Sequence, residues 1–404
     1  MSYLSHLEYA PGGERVNADA PRNNEKGRGA LLLARYDLAR IKREIMPQDI
    51  ARGPSTLWRY APLLPVADPQ RAVSLGEGCT PLLRGDRIAR AIGCLNLWIK
   101  DEGRNPSGTF KDRGAAVAVS RYRELGVKTV ALNSSGNAGG SWALYAARAG
   151  MNCVSVLPMD AQPSSRAHCD AAAAHTYYIE NWHESGRVVA EACSRHGWFN
   201  ACTLKEPYRM EGKKTMGLEI AEQLGWQLPD VVIYPMGGGL GAIAIWKAFE
   251  ELLELGWVTG KMPRLVVTQY AGCAPAVKAF EEGRDDVEPW QKLDVPPGGL
   301  KSPNPPGGRA VLALIRRYGG AAIAVSVREA MHEVARLAQY EGIFACPESA
   351  TTLAGLVKAL AGGVVKADER MVIVCTGSGL KSIPSMGEAS MRKIESSADI
   401  KEIQ

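Results

Sequence analysis

The nine cysteines of this 404-residue chain include no C-x-x-C pair, and its first 78 residues hold no cysteine and a single histidine, His6. Zinc needs three or four sulfur or nitrogen ligands, so the N-terminal segment is expected to bind none, and no metal site is expected elsewhere. The cysteines sit mostly in apolar surroundings, the habit of reduced thiols. No apolar run is long enough to span a bilayer, and no short apolar stretch behind a basic start reads as a secretory signal, so the expected location is the cytoplasm, with no membrane partner. Charge of one sign is also scarce. Lys and Arg number 48 against 43 Asp and Glu, and the resulting +5 is spread along the chain, which argues against nucleic acid as a partner. A composition of 46% apolar and 23% charged residues is that of a soluble globular protein, with room at this length for two domains sharing a large core.

What the chain has instead is a repeated switch between short apolar runs and helical stretches. From about Leu75 onward the runs Leu95 to Lys100, Val127 to Asn133, Met151 to Leu157, Ala173 to Ile179, Val231 to Met236, Leu265 to Tyr270, Ala321 to Val325 and Met371 to Thr376 alternate with helical patterns. That alternation predicts an α/β protein with a parallel sheet covered by helices on both faces. Residues 1 to about 30 are polar and turn-rich. Asp294 to Arg309, with five prolines and four glycines, breaks the alternation and reads as a surface linker.

Four segments carry chemistry. In Asn105-Pro-Ser-Gly-Thr-Phe-Lys-Asp-Arg-Gly114, Lys111 follows a turn signal and opens a small-residue helix over Gly114 to Ser120. A lysine held on such an element can form a Schiff base with an aldehyde, and pyridoxal phosphate is the commonest aldehyde cofactor; a solvated helix start is the bland alternative. Leu132-Asn-Ser-Ser-Gly-Asn-Ala-Gly-Gly140 lies between an apolar run and an alanine-rich helix. Its hydroxyls, amide and unpaired N–H groups suit a substrate carboxylate, with Ser134, Ser135 and Asn137 as contacts, although a capped turn has a similar pattern. Asp230-Val-Val-Ile-Tyr-Pro-Met-Gly-Gly-Gly-Leu-Gly-Ala242 runs from a buried strand through a glycine loop into a helix, which assigns Gly237, Gly238, Gly239, Leu240 and Gly241 to a phosphate. A dinucleotide would want an acidic residue at the end of the next strand, where Gln269 stands, and no Gly-Lys-Ser/Thr follows for a nucleoside triphosphate, so a monophosphate ester fits best. Met371-Val-Ile-Val-Cys-Thr-Gly-Ser-Gly-Leu-Lys381 ends a buried strand in hydroxyls, and Thr376 or Ser378 could hydrogen-bond a ring nitrogen.

Together these segments resemble the threonine synthase branch of the fold type II (tryptophan synthase β-like) PLP enzymes, from about Leu75 to Lys381. Gly76-Glu-Gly-Cys-Thr-Pro-Leu82, Leu204-Lys-Glu-Pro-Tyr-Arg-Met-Glu-Gly-Lys-Lys-Thr215 and Gly342-Ile-Phe-Ala-Cys-Pro-Glu-Ser-Ala350 support the likeness. The resemblance implies two open, mostly parallel sheets with helices on both faces. It divides the chain into an extension over 1–75, a large cofactor domain over 76–102 and 205–404, and a small mobile domain over 103–204. Relatives often carry a cysteine-rich zinc ribbon in the extension; here Tyr9 and Gly12 fall near where its first ligand pair would stand, so the ribbon is a degenerate remnant. A homodimer with a small amino-acid substrate is also implied.

By the same resemblance, Lys111 is the catalytic lysine and Thr376 the ring-nitrogen partner. A hydroxyl there cannot keep a pyridine protonated as a carboxylate would, which favours elimination and replacement over transamination. The implied reaction is γ-elimination and β-hydration of O-phospho-L-homoserine, giving threonine. That substrate needs a second anion site, for which Arg209 leads and Lys213 and Lys214 are candidates, with a solvated helix face as the alternative for the lysines. Lys301 and Asn304 are further substrate-contact candidates, Glu348 is expected near the cofactor, and Asp112 and Arg113 pair or cap the helix. A serine/threonine dehydratase, a β-replacement synthase acting on phosphoserine, and a non-catalytic PLP-binding homologue remain alternatives.

Overall fold

The computed structural model describes residues 2–27 and 29–386; Arg28 and the end of the expected large domain, 387–404, lie outside the described residues. Strands β1 (Leu4–Ala10), β2 (Glu14–Val16) and β3 (Leu31–Tyr36) open the chain, followed by β4 (Leu82–Arg84) and β5 (Asn96–Asp101). Next come β6 (Thr129–Asn133), β7 (Asn152–Pro158), β8 (His175–Ile179) and β9 (Phe199–Asn200). The last four are β10 (Val231–Pro235), β11 (Arg264–Tyr270), β12 (Ala321–Val325) and β13 (Arg370–Cys375). Strands β4 to β13 form two open, mostly parallel sheets, as expected. One has the order β8-β7-β6-β9 and is parallel throughout; the other runs β12-β11-β10-β13-β5-β4, with only the β4–β5 pair antiparallel. Every residue of β10 is buried, the continuous apolar run of a strand covered on both faces. The eight expected strands all form, with ends displaced by at most two residues.

The N-terminus differs from its reading as polar and turn-rich. Its three strands make an antiparallel sheet in the order β2-β1-β3, because Leu7, Tyr9, Leu32, Leu33, Ala34 and Tyr36 supply an apolar face that joins the main core. Tyr9, near the degenerate ligand position, is buried in that face. At the end of β3, Tyr36 donates a hydrogen bond to Glu211 at 2.9 Å, across 175 residues of sequence. Glu211 also receives Lys214 at 2.6 Å and Lys247 at 3.0 Å, and Glu251 receives Lys214 at 2.8 Å and Lys247 at 2.5 Å.

A second buried ionic network fixes the helix Lys111–Glu124. Arg113 donates to Glu102 at 2.6 and 2.8 Å and to Glu219 at 2.6 and 2.7 Å. Lys100 of β5 reaches Glu219 at 2.7 Å, and the Cys79 N–H donates to the same carboxylate at 2.8 Å. Burial pushes the Glu219 carboxyl up, but Arg113 and Lys100 more than offset it and hold the group down at about 2.

Candidate active site

The cleft lies at the C-terminal edge of strands β5, β10 and β13, where open parallel sheets present their loops. From β5 the chain turns through Glu102–Arg104 and reaches Lys111 as the first residue of its helix. The Asp112 carboxylate pins that approach, accepting the Ser107 N–H and the Ser141 hydroxyl, each at 2.6 Å. Phe110 N–H donates to the Thr376 carbonyl at 3.0 Å, stitching the lysine loop to the end of β13. Lys111 Nζ lies 4.3 Å from the centroid of the Phe110 ring. Removal from water lowers the Lys111 pKa, the Arg209 guanidinium lowers it further, and Glu348 opposes them; the result is about 8.

An amine with that pKa is half neutral at pH 8, where an ordinary lysine, near 10.4, is almost wholly charged. In the cofactor-free protein, acetylation of Lys111 followed by peptide mapping is therefore expected to rise through a midpoint near pH 8, while surface lysines respond more than about two pH units higher. A midpoint shared with the surface lysines would refute this.

After β10 the loop reaches Gly239, whose φ of +87° is a left-handed conformation that favours glycine, and the helix Leu240–Leu255 begins. Its first N–H groups have no partner within the helix and carry the positive end of the helix dipole. A Cβ on Gly241 would stand 1.8 Å from the Tyr234 hydroxyl, so only a bare backbone fits this cradle. At the other strand end Thr376 is buried and faces the same cleft. The cleft, about 600 Å³, is lined by Lys111, Asn137, Gly237, Gly238, Gly239, Leu240, Gly241 and Thr376, and by Phe110, Thr203, Lys213 and Glu348. An amine, a cradle of N–H groups and a hydroxyl around one cleft fit pyridoxal phosphate. Lys111 could meet the aldehyde, Gly237 to Gly241 could hold the phosphate and Thr376 could face the ring nitrogen.

A wider cleft of about 1730 Å³ adjoins the first and shares Lys111, Thr203, Gly238 and Gly299 with it. Ser134 and Ser135 line it, as do Lys301 and Asn304 of the Pro/Gly-rich segment, which borders the site rather than merely linking elements. Ser134 Oγ accepts the N–H groups of Gly136 at 3.1 Å and Gly139 at 2.9 Å, capping the helix Asn137–Ala149. Asn137 Oδ1 accepts from the Ser165 hydroxyl at 3.2 Å. Lys301 pairs with Asp160 at 2.5 Å, and Glu348 accepts the Gly299 N–H at 3.1 Å.

Arg209 is buried beside these clefts and lines neither. It donates to Thr203 Oγ1 at 2.9 Å and to the Ala201 carbonyl, faces Glu206 at 3.6 Å and lies 4.8 Å from the Trp142 ring. Lys214 is neither on a solvated face nor in the cleft, being held by Glu211 and Glu251. Ser378 accepts the Leu380 N–H at 3.2 Å as the cap of its own turn, leaving Thr376 as the hydroxyl at the cleft. Sequence reasoning missed Phe110 and Thr203. Phe110 stands beside Lys111 and was open to notice; Thr203 follows the two-residue β9, which leaves no periodic signal.

Residues 73–377 match the family described as "Pyridoxal-phosphate dependent enzyme". The chain is 35% identical to a threonine synthase of Methanocaldococcus jannaschii, covering 92% of each chain. It is 36% identical to a threonine synthase of Methanosarcina acetivorans, over 87% of this chain and 86% of that one. Among solved structures, maize serine racemase superposes with a TM-score of 0.64 at 20% identity, over 76% of this chain and 90% of that one. The processed form of threonine deaminase isoform 2 from Solanum lycopersicum gives 0.63 at 18% identity, over 91% of this chain and all of the other, so the fold is shared. On its cleft, its fold and these matches, the chain belongs to the pyridoxal-phosphate dependent enzymes.

Proposed function

We propose that this enzyme is a threonine synthase, converting O-phospho-L-homoserine and water to L-threonine and phosphate by γ-elimination and β-hydration. The observation that carries this reading is the pair of adjoining clefts with Lys111 in the wall of both. One is cradled for a cofactor phosphate, and the other has hydroxyls and room for an amino acid bearing its own phosphate. The similarity to two threonine synthases over most of the chain supports it. Pyridoxal phosphate, when bound, supplies an aldehyde for the substrate amine and a conjugated ring that spreads carbanion charge. Lys111, with a pKa of about 8, is suited to take the Cα proton and then to move a proton at Cβ. Ser134, Ser135 and the start of the helix Asn137–Ala149 orient the carboxylate. Phosphate leaves from Cγ and water adds at Cβ.

The test is a side-by-side assay of the holoenzyme with phosphohomoserine, phosphoserine and threonine. Threonine and inorganic phosphate from the first substrate are expected. Faster deamination of threonine, or faster replacement on phosphoserine, would put a dehydratase or a β-replacement synthase in its place.

Arg209 belongs to this reading as a cation acting on the substrate phosphate from beside Thr203, its hydrogen-bond partner in the cleft wall. Arg209 lines neither cleft, so Arg209→Ala removes a nearby charge and the Thr203 hydrogen bond rather than a direct contact, and is expected to lower kcat/KM for phosphohomoserine by about 10-fold, roughly 1.4 kcal/mol, with cofactor occupancy unchanged. Arg209→Lys should recover only part, since lysine lacks the planar fork. Full activity in Arg209→Ala would remove it from the site.

The same proposal includes a cytoplasmic homodimer and a small lobe, 103–204, that moves against the rest. The lobe assignment is supported by the sheets: β6 to β9 fall between residues 129 and 200, while the strands of the larger sheet lie at 82–101 and 231–375.

A further inference from the structure

The helix Pro163–Ala171 lines neither cleft, yet it holds a wall of each. On one side it packs behind the start of the helix Asn137–Ala149. Ser165 donates to Asn137 Oδ1 at 3.2 Å, and a Cβ on Gly140 would stand 3.0 Å from His168 Cβ, so glycine there lets the two helices close up. On the other side it reaches the large lobe. Gln162, its N-cap residue, donates through Nε2 to the Pro297 carbonyl at 3.0 Å and to Ser382 Oγ at 3.1 Å. Ser164 Oγ donates to the Lys381 carbonyl at 2.9 Å, and Lys381 Nζ lies 3.3 Å from His168 Nδ1.

What Gln162 grips is the strap between the clefts. Gly299 lines both, its N–H goes to Glu348, and a Cβ on Gly237 would stand 2.2 Å from its carbonyl oxygen. A Cβ on Gly298 would meet Glu348 Oε1 at 1.8 Å and lie 3.4 Å from Gln162 Nε2. The strap is thus pressed between the glycine loop, Glu348 and Gln162. Gln162 is 5% exposed, and its Oε1 is buried with no hydrogen-bond partner among the described residues. An unpaired buried carbonyl costs stability, so packing alone would favour an apolar side chain of this length; the worth of the amide lies in the two bonds it donates.

We propose that Gln162 is a positioning residue of the active site, coupling the carboxylate loop to the strap that walls both clefts. This rests on the reading of Ser134, Ser135 and Asn137 as the seat of the substrate carboxylate. A carboxylate settling there draws on Asn137, Ser165 and the helix behind them, and that helix carries Gln162 onto Pro297 and Ser382. Coupling of this kind is reciprocal, so a strap held by Gln162 also tightens the seat. An amine without a carboxylate engages Lys111 and the cofactor only, and Gln162 makes no difference to it.

The test compares two ligands without a leaving group, L-norvaline and butylamine, the second being the first without its carboxyl group. Each is titrated into the holoenzyme and followed by the cofactor's visible band, and hydrogen exchange is measured over the peptide 295–302. In wild type, norvaline is expected to slow exchange there and butylamine is not. Gln162→Met should keep the cofactor band and the affinity for butylamine, bind norvaline about 3- to 10-fold more weakly, and lose the protection that norvaline gives. Ser164→Ala should show a smaller weakening of the same kind. Equal weakening of Gln162→Met toward both ligands, or none toward either, overturns the proposal. So does a wild type whose exchange over 295–302 is unchanged by norvaline, a result that needs no variant to fold. A wild type that binds the two ligands alike would remove the carboxylate seat and the coupling together. Neither ligand carries a phosphate, so failure of the synthase reading would show in the substrate assay and not here.

Discussion

Lys111→Ala is expected to abolish threonine formation, with kcat falling on the order of 10³-fold or more. The lysine stands at the start of its helix, faces both clefts and has a pKa near 8, and in the proposed reaction this one amine is both cofactor anchor and base at two carbons. Removing it deletes roles that act as a unit, and the loss should approach that of all of them together. Borohydride treatment of wild type followed by peptide mapping should place a pyridoxyl group on Lys111. The variant should bind pyridoxal phosphate through the glycine loop alone and release it on dialysis. A borohydride-stable adduct on Lys213 in the variant, with activity retained, would transfer the role to the neighbouring amine.

Glu219→Ala is expected to destabilise the protein by about 3–5 kcal/mol, the typical result of removing one partner from a buried ionic network. The change leaves Arg113 and Lys100 facing one another with Glu102 alone to answer them, and orphans the Cys79 N–H. Domain stabilities of about 5–15 kcal/mol make this a large fraction of the total. The pH dependence has a definite sign. The Glu219 carboxyl is lower in the folded protein than its ordinary 4.5, so its contribution is complete above that value and is lost as pH falls from there toward about 2. Urea unfolding midpoints for wild type and variant, compared from pH 7 to pH 3, should therefore converge on the acid side. A constant gap would mean that the carboxylate is not the linked group.

Eight of the nine parallel strands were legible because most are short, nearly unbroken apolar runs, the two-residue β9 being the exception, and the lysine loop, glycine loop and Thr376 were legible because each sits where such a run stops. The N-terminal sheet was not. Its apolar positions are spaced across turns, and Leu7, Tyr9 and Leu32 become a face only when β1 and β3 pair. Lys213 and Lys214 are adjacent and alike in sequence, yet one faces a cleft and the other a pair of carboxylates. A helix rotates about 100° per residue, and nothing short of the Gly114–Gly212 crossing says which way each points. Arg209 and Thr203 meet across a turn of irregular backbone, where no period exists to read.

The hydrogen bond from Tyr36 to Glu211 also bears on how the chain is made. A ribosome adding about 5–20 residues each second needs roughly 10–35 s to cover those 175 positions. For most of that interval the helix carrying Glu211, the partner of Tyr36, has not been made, while the β1–β3 sheet has left the ribosome. Its Leu7, Tyr9 and Leu32 face waits exposed on the nascent chain, so slowing translation after codon 36 should lengthen chaperone occupancy there, and codons placed before it should not.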